Sequence, residues 1–449
     1  MHKSLVGKYS APVPRYTSYP TAPHFDVAIG NGEYGQWLAE LSQGASVSLY
    51  IHVPYCDRLC WFCACHTKHT LKYEPVATYI EALFREIEAV SSRLREGVTV
   101  SALHFGGGSP TMMTPEDIIR LGDHLKSHFS FQKDAKISVE MDPNDMDDAR
   151  YDALAEIGMT RASLGVQDFD PKVQKTINRI QTFDHTRSVV EAVRARGVHS
   201  VNCDLLYGLP YQTLETLENT VSQITSLDPD RIALFGYAHV PWMKKHQTMI
   251  PEAALPDVSM RFEQARLAAR LLQEAGYQTI GIDHFAKPDD SLAVAAREGR
   301  MRRNFQGYTD DAADALIGLG ASSIGQFPQG YVQNMTATGE YQRMTEESGL
   351  AAVRGIALSS DDVMRAYVIE RIMCDFRLSF ADLDKRFGAL ASAIRSEARQ
   401  FAVANDDNLV EIRDDECVIT EHGKPFARTI AATFDAYLSN GKGRHSIAV

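Results

Sequence analysis

Tyr50–Thr70 reads YIHVPYCDRLCWFCACHTKHT, and within it Cys56, Cys60, Cys63 and Cys65 fall inside ten residues. Four of the chain's seven cysteines are gathered here, where an apolar run gives way to a loop. We read no secretory signal ahead of them, so a disulfide knot is not expected, and closely spaced thiolates then point to metal. Cys60 and Cys63 also form a CxxC pair, which leaves a redox dithiol or a zinc site as alternatives. A zinc site would normally draw a second ligand pair from elsewhere, and no second CxxC follows. The C-x3-C-x2-C spacing is the stronger signal, because three thiolates can ligate three irons of a [4Fe-4S] cube and leave the fourth iron open to a small molecule. Cys65 complicates the count, since a fourth thiolate on that iron would give a four-cysteine electron carrier of ferredoxin type. The single cluster motif, the 449-residue length and the alternating architecture around the loop argue against a carrier.

From about Ser46 onward short apolar runs alternate with helical patterns, a βα rhythm that argues a parallel sheet. Strands are expected at SVSLYIHVP (46–54), VTVSALHFGGG (98–108), KISVEMDP (136–143), RASLGVQ (161–167), SVNCDLLYG (200–208) and RIALFGYAHV (231–240). Helical stretches such as VATYIEALFREIEAV (76–90) and TPEDIIRLGDHLKSHF (114–129) separate them. Six such units suit an α/β chain folded as a partial, TIM-like (β/α)6 barrel, with YQTIGIDHFA (277–286) and LIGLGASSIGQF (316–327) extending or closing it. A doubly wound sheet is the weaker alternative. In a barrel, functional side chains belong at the C-terminal ends of the strands.

The unusual residues fall there. The first strand ends at the cysteine loop, the second in Gly106, Gly107 and Gly108, and the third carries Glu140 and Asp142. Gln167, Asp204, and Ala238 with His239 mark the ends of the next three. The triple glycine is either a tight turn or a place where backbone approaches a ligand closely. It is not a phosphate loop, because no Gly-Lys-Ser/Thr follows. Glu140 is costly to bury unpaired in an apolar strand, so it makes either a structural ion pair or a hydrogen bond to a ribose diol, and Asp204 poses the same choice.

Composition bounds what surrounds the loop. With 44% hydrophobic and 23% charged residues the chain is globular and large enough for two or three domains. A net charge of −12 speaks against general binding of nucleic acid or anionic membrane. No long apolar core occurs near the N-terminus and no run of about 18 apolar residues follows, so a cytoplasmic protein without membrane contact is expected, and we expect a monomer. Cys203, Cys374 and Cys417 are scattered and read as small buried residues. Residues 1–45 form an N-terminal arm, whose PRYTSYPTAPHF (14–25) is too rich in turn formers for regular structure. Its Tyr16, Tyr19 and Phe25 suit packing, and Arg15 could reach an anionic ligand. Residues 46–340 form the barrel. In 341–449 the rhythm changes to helices at 359–378, 379–405 and 425–439, with a small β-hairpin from LVEIRDD and ECVITEHG, a mainly helical C-terminal domain of winged-helix outline expected to cover the open side of the barrel.

The cysteine loop resembles the radical S-adenosylmethionine superfamily, in which the open iron is chelated by the methionine moiety and a 5'-deoxyadenosyl radical is released. A closer resemblance, to the oxygen-independent coproporphyrinogen III oxidase family, runs through nearly the whole chain. It rests on PRYTSYPTA (14–22), YIHVPYCDRLCWFCAC (50–65), HFGGGSPT (104–111), the strand around Glu140, SLGVQDFDPKVQKTINR (163–179), DLLYGLP (204–210) and YAHVP (237–241). GIDHFAKPDD (281–290), REGRMRRNFQGYT (297–309) and RGIALSSDDVMR (354–365) continue it. Asp310 and Ser109 depart from the pattern, each standing where threonine is expected. The resemblance implies anaerobic conversion of the ring A and B propionates of coproporphyrinogen III to vinyl groups, giving protoporphyrinogen IX and consuming two S-adenosylmethionines. It also implies an unidentified reducing electron donor and a final electron acceptor. By motif, Cys56, Cys60 and Cys63 would hold the cluster, and Tyr50, Gly107, Glu140 and Ile324 the first S-adenosylmethionine. Phe62, Gly108, Ser109, Gln167, Arg179, Asp204 and Ala238 would hold the second. Arg179 suits a carboxylate, although it could equally face solvent from a helix. Cys65 is expected near the substrate rather than on the cluster. A haem-binding chaperone of the same superfamily is the alternative, but such relatives generally lack the arm motif and the cysteine after the cluster motif.

Overall fold

In the computed structural model, which describes residues 2–438, six parallel strands follow one another: β1 (Ser46–Val53), β2 (Thr99–Gly107), β3 (Ser130–Met141), β4 (Arg161–Gln167), β5 (Ser200–Tyr207) and β6 (Arg231–Gly236). The chief helices after them are α1 (Glu74–Ser91), α2 (Pro115–His128), α3 (Asp148–Glu156), α4 (Phe183–Ala195), α5 (Leu214–Ser226) and α6 (Val258–Glu274). Side-chain oxygens of Thr114, Asp147, Thr182, Thr213 and Asp257 accept from first-turn N–H groups and so start α2 to α6.

Strand periodicity divides the sheet into two unlike faces. Leu49, Ile51, Leu103, Phe105, Val139, Leu164, Val201, Cys203 and Leu205 point to the helix side, where they are buried in one core with Ile80, Leu83, Leu121, Val189 and Val221. The alternate positions are polar: Tyr50 and His52 on β1, His104 on β2, Ser138 and Glu140 on β3, Ser163 on β4, Asn202 and Asp204 on β5. The register sets these residues side by side, Tyr50 opposite His104, Glu140 opposite Ser163, and Ser163 opposite Asn202. A filled barrel interior is made of packed apolar layers; this inner face carries hydrogen-bonding groups and holds a cavity.

The sheet extends but does not close. It continues at one edge as β7 (Gln278–Ile280) and β8 (His284–Ala286), and at the other as β9 (Ala315–Leu319), β10 (Ile324–Phe327), β11 (Gly330–Asn334) and β12 (Ala352–Ala357). β9 is parallel to β1, whereas β7, β8, β10, β11 and β12 pair antiparallel. The two stretches that might have closed a barrel therefore double back. A parallel neighbour needs a crossover of about a dozen residues, and only residues 281–283 and 320–323 lie between the paired strands, turning through Gly281 (φ +57°) and Gly320 (φ +99°). The sheet also runs on to Ala357, beyond the change of rhythm expected near Tyr341.

PRYTSYPTAPHF is irregular apart from a single 3-10 turn at Ala22–His24, but the arm around it is not wholly extended. Helices occupy His2–Tyr9 and Asn31–Glu40, and the second buries Tyr34, Trp37 and Leu38. The C-terminal part has its own core. Met364, Val368, Ile372, Leu383, Ile394 and Phe434 meet there with Val13, Tyr16 and Tyr19 of the arm. Its helices are Ser360–Asp375, Phe380–Phe387 and Ala391–Ala404, the last two separated at Gly388 (φ +54°). The expected hairpin, Val410–Arg413 with Glu416–Ile419, is joined by a third strand, Arg377–Ser379. The expected last helix is broken into short 3-10 and α turns between Lys424 and Phe434, and its end at Ser439 lies outside the described residues. Among the described residues no helix is long and apolar enough to cross a membrane.

Candidate functional site

The cysteine loop leaves β1 at Val53 and returns to α1 through a two-strand parallel pair, Tyr55–Cys56 with Lys68–His69. Cys60 is buried, Cys56 and Cys63 are half-buried and Cys65 is exposed. The three thiols of the C-x3-C-x2-C motif feel one another's charge, yet their sulfurs do not all lie within 4.8 Å. Ligands of one tetrahedral zinc would stand roughly 3.8 Å apart, so the set fits several irons better than one ion. Among the described residues the one trio close enough to share an ion is Glu88, His124 and His128, on the outer helices.

Second contacts prepare these sulfurs. Burial pushes the Cys60 thiol up, and the Arg179 guanidinium, whose Nη1 lies 3.7 Å from Cys60 Sγ, opposes it. Burial raises Cys56 as well. The hydrogen bond from the Cys65 thiol, helped by Lys244 and Arg179, brings Cys63 down to about 7 against its burial. The Cys65 backbone N–H also donates to Cys63 Sγ at 3.4 Å. A strap after β6 closes over the loop. His246 Nε2 meets Cys63 O at 2.7 Å, Lys244 Nζ donates to Cys65 O at 2.7 Å, and Gln247 Nε2 donates to the carbonyls of Phe62 and Ala238 at 2.9 and 3.2 Å.

Glu140 is the hub of the inner face. His104 Nε2 contacts its Oε1 at 3.1 Å, and the Gly107 N–H donates to its Oε2 at 3.1 Å. Burial pushes this carboxyl up, but the His104 and Gly107 contacts and the nearby His52 outweigh it, and its pKa lies below the usual value. Tyr50 stacks on His104 at 5.7 Å and bonds His52 Nδ1 at 3.1 Å, and burial holds His52 neutral, down to about 4. Tyr50, Glu140 and Ile324 line one cavity of about 190 Å³ together with His52 and Phe305. The structure thus gathers three of the four residues expected at one ligand, and the fourth, Gly107, is hydrogen-bonded to Glu140.

The glycines also meet a local need, whatever they do for a ligand. A Cβ on Gly106 would meet the Glu140 carboxylate at 2.9 Å, on Gly107 (φ +114°) the His52 ring at 2.5 Å, and on Gly108 the Tyr55 carbonyl at 2.6 Å. They are the space into which the protein's own site folds.

Of the residues expected at a second ligand, Arg179 is not on a helix surface. It is buried, bonded through Nη1 to Asp142 at 3.1 Å and through Nη2 to Gly165 O at 2.6 Å and Gln181 at 3.3 Å, and its Nε has no partner among the described residues. Gln167 ends β4 in the left-handed region (φ +72°) with its amide beside Gly165. Ser109 is buried and donates to Asp145 at 2.6 Å, while Arg58 bridges Asp57, Asp142 and Asp145. Burial lifts Asp204 to about 6 despite a 2.8 Å bond from Asn202, and the carboxyl feels the charges of both Glu140 and Arg179. Phe62, like Trp61 and Phe235, packs against the buried cluster that contains Tyr237 and Ile250, and Ala238 lies just beyond β6. Asp310, the sequence departure, pairs with Lys136 at 2.6 Å outside this group.

Sequence reading missed His52, His104 and Arg58, which hold the expected residues in place; the alternation of Tyr50, His52 and His104 with buried aliphatics was the signal. It also missed a cavity of about 890 Å³ bounded by the arm, β6, α6 and the C-terminal part. Ala238 and His239 line it, and Phe305 and Gln306 line both cavities. These two residues form the tip of a hairpin, Arg302–Asn304 with Gly307–Thr309.

The Radical SAM superfamily pattern matches residues 50–224. The chain is 47% identical to the oxygen-independent coproporphyrinogen III oxidase of Paracoccus denitrificans, over 99% of this chain and 98% of the relative. It is 46% identical to the protein of the same name from Bradyrhizobium diazoefficiens, over 97% of each. The solved structure of coproporphyrinogen III oxidase (HemN) from Escherichia coli superimposes with a TM-score of 0.91 at 38% identity, covering 94% of this chain and 98% of that one.

Proposed function

The chain belongs to the oxygen-independent coproporphyrinogen III oxidase family within the radical SAM superfamily, and from this we propose that it oxidatively decarboxylates the ring A and B propionates of coproporphyrinogen III to vinyl groups, giving protoporphyrinogen IX in haem biosynthesis. Its cofactors are a [4Fe-4S] cluster and S-adenosylmethionine, in this reading two molecules of the latter. The observation that carries the reading is a cavity walled by Tyr50, Glu140 and Ile324, which shares Phe305 and Gln306 with a far larger cavity and whose Tyr50 and Glu140 feel the charge of Cys65 at the end of the three-cysteine motif.

Cys56, Cys60 and Cys63 hold the cluster, and Tyr50, Gly107, Glu140 and Ile324 hold the first S-adenosylmethionine. When bound, the cluster and S-adenosylmethionine would supply the radical chemistry needed to oxidise a propionate at its unactivated β-carbon. Phe62, Gly108, Ser109, Gln167, Arg179, Asp204 and Ala238 serve the second molecule, Arg179 as the cation and Asp204 as the carboxylate. Cys65 faces the substrate, as its exposure beside the buried Cys60 supports. An unidentified reducing donor and a final electron acceptor complete the balance. The working unit is a cytoplasmic monomer without nucleic-acid or membrane partner, made of the arm (1–45), the cluster-bearing body (46–340) and the C-terminal domain (341–449). Anaerobically reconstituted protein given reductant, S-adenosylmethionine and coproporphyrinogen III should form divinyl product; stable haem binding without turnover would instead identify a chaperone.

A further inference from the structure

The 890 Å³ cavity is strongly biased in charge. Arg15, Arg261, Arg266, Arg303, Lys424 and Arg428 line it against Asp257, Asp283 and Glu421, in a chain whose net charge is −12. Three of these arginines come from distant segments: Arg15 from the arm, Arg261 from α6 and Arg303 from the hairpin that divides the two cavities. Among the described residues none of the three is ion-paired with a carboxylate within 4 Å, and Arg261 Nε and Arg303 Nη1 are buried without hydrogen-bond partners. The Asp283 carboxylate acts on Arg15 and Arg303 from beyond ion-pair distance and is itself engaged by His284 Nδ1 at 2.6 Å. The space for Arg261 is made at the strand ends themselves. An added Cβ on Gly208 (φ +81°) would fall on its Nη1, and one on Gly236 would come within 3.1 Å of its Nη2. Arg303 and Arg428 place Arg15 by donating to the carbonyls of Arg15 and Tyr16 at 3.2 and 3.3 Å, and of Val13 and Pro14 at 2.7 and 3.3 Å. Arg15 Nη2 in turn touches Gly236 O at 3.3 Å.

Converging guanidiniums that outnumber the carboxylates around them repel one another in a partly enclosed space unless a further anion joins them. Guanidiniums donate strongly to carboxylates, in a bidentate way where the fork is free and through the remaining N–H groups where, as at Arg303, Nε and Nη2 already serve backbone carbonyls. We infer that Arg15, Arg261 and Arg303 bind the propionate carboxylates that are not reacting, so that the tetrapyrrole is held from its far side while one propionate passes the Phe305–Gln306 tip toward the smaller cavity. This rests on the substrate reading above and adds how that substrate is gripped and oriented. The cavity volume lies near the upper end of the roughly 300–1,000 Å³ found for small-molecule sites.

The test measures binding to the reconstituted protein by fluorescence, with coproporphyrin III as an air-stable tetracarboxylate probe and its tetramethyl ester as the uncharged control. The acid should bind at least tenfold tighter than the ester. Arg261→Gln and Arg303→Gln should each weaken the acid about tenfold and leave the ester unchanged. Arg15→Gln, at an exposed arm position, carries little risk to folding and should act in the same direction. Equal affinity for acid and ester, or acid affinity unchanged in all three folded variants, overturns the inference. Turnover of the wild-type protein is scored separately. Acid-selective binding without turnover would sustain the carboxylate grip and refute the oxidase reading, and turnover with unaltered binding in the variants would do the reverse.

Discussion

Cys65 and Arg179 act on the cluster loop from opposite sides, and each can be separated from its neighbours by one substitution. Cys65→Ser keeps the backbone N–H that donates to Cys63 Sγ, so iron and sulfide per chain should stay at the wild-type level while divinyl product falls at least tenfold. Cys60→Ser should lose most of both. An iron content in Cys65→Ser as low as in Cys60→Ser would make Cys65 a ligand. Arg179→Lys retains a cation near Asp142 and Cys60 but not the fork that also reaches Gly165 O and Gln181. We expect a folded protein with near-normal iron and turnover reduced tenfold or more, and wild-type turnover would reduce Arg179 to a packing role. The expected residues were legible because each ends a strand or belongs to a short contiguous motif. Arg15 could be suspected from its arm, but Arg15, Arg261 and Arg303 were not legible as a group, since they stand in three separate segments and only the folded chain brings them to one cavity.

At the level of elements, the turn after β2 is a steric key. Gly108→Ala would set a Cβ 2.6 Å from the Tyr55 carbonyl, and backbone has no rotamer with which to yield, so Cys56 must move with Tyr55. Iron per chain, assayed after reconstitution, should fall several-fold in Gly108→Ala; an unchanged content would show that the loop tolerates the shift. Helix α1 offers a second test through Glu86, which accepts from Gly320 N–H at 2.7 Å, Asn334 at 2.6 Å and the Tyr341 hydroxyl at 2.6 Å. Burial raises this carboxyl to about 7 from 4.5. The folded state therefore holds the proton more tightly than the unfolded one, so Glu86 favours folding below about pH 4.5, and this contribution declines as pH rises to about 7. Glu86→Gln should flatten the decline in unfolding free energy, measured by urea titration between pH 5 and 8, by an amount on the order of 3 kcal/mol. Equal slopes in both proteins would rule Glu86 out as its source. The six βα units were readable from apolar runs and helical periodicity, whereas the hairpins at 277–286 and 316–327 were not assignable, because an apolar run does not state the direction in which it pairs. The intervening lengths were the available clue.

For the whole molecule, the arm is the tie between the sheet and the C-terminal part. Tyr16 donates to Asp435 at 3.0 Å, Tyr19 accepts from the Ala436 N–H at 3.0 Å, and both rings are buried in the C-terminal core. Removing residues 1–20 should leave the sheet and cluster content close to normal, yet expose the C-terminal helices to protease and abolish turnover. Full turnover by the truncated chain would show that the arm only packs. The same tie has a temporal side. Val13 O and its partner Arg428 are separated by 415 positions, and ribosomes add about 5–20 residues per second. The arm thus waits roughly twenty to eighty seconds for its partner to emerge, and until then Val13, Tyr16 and Tyr19 lack the C-terminal core that buries them in the finished chain.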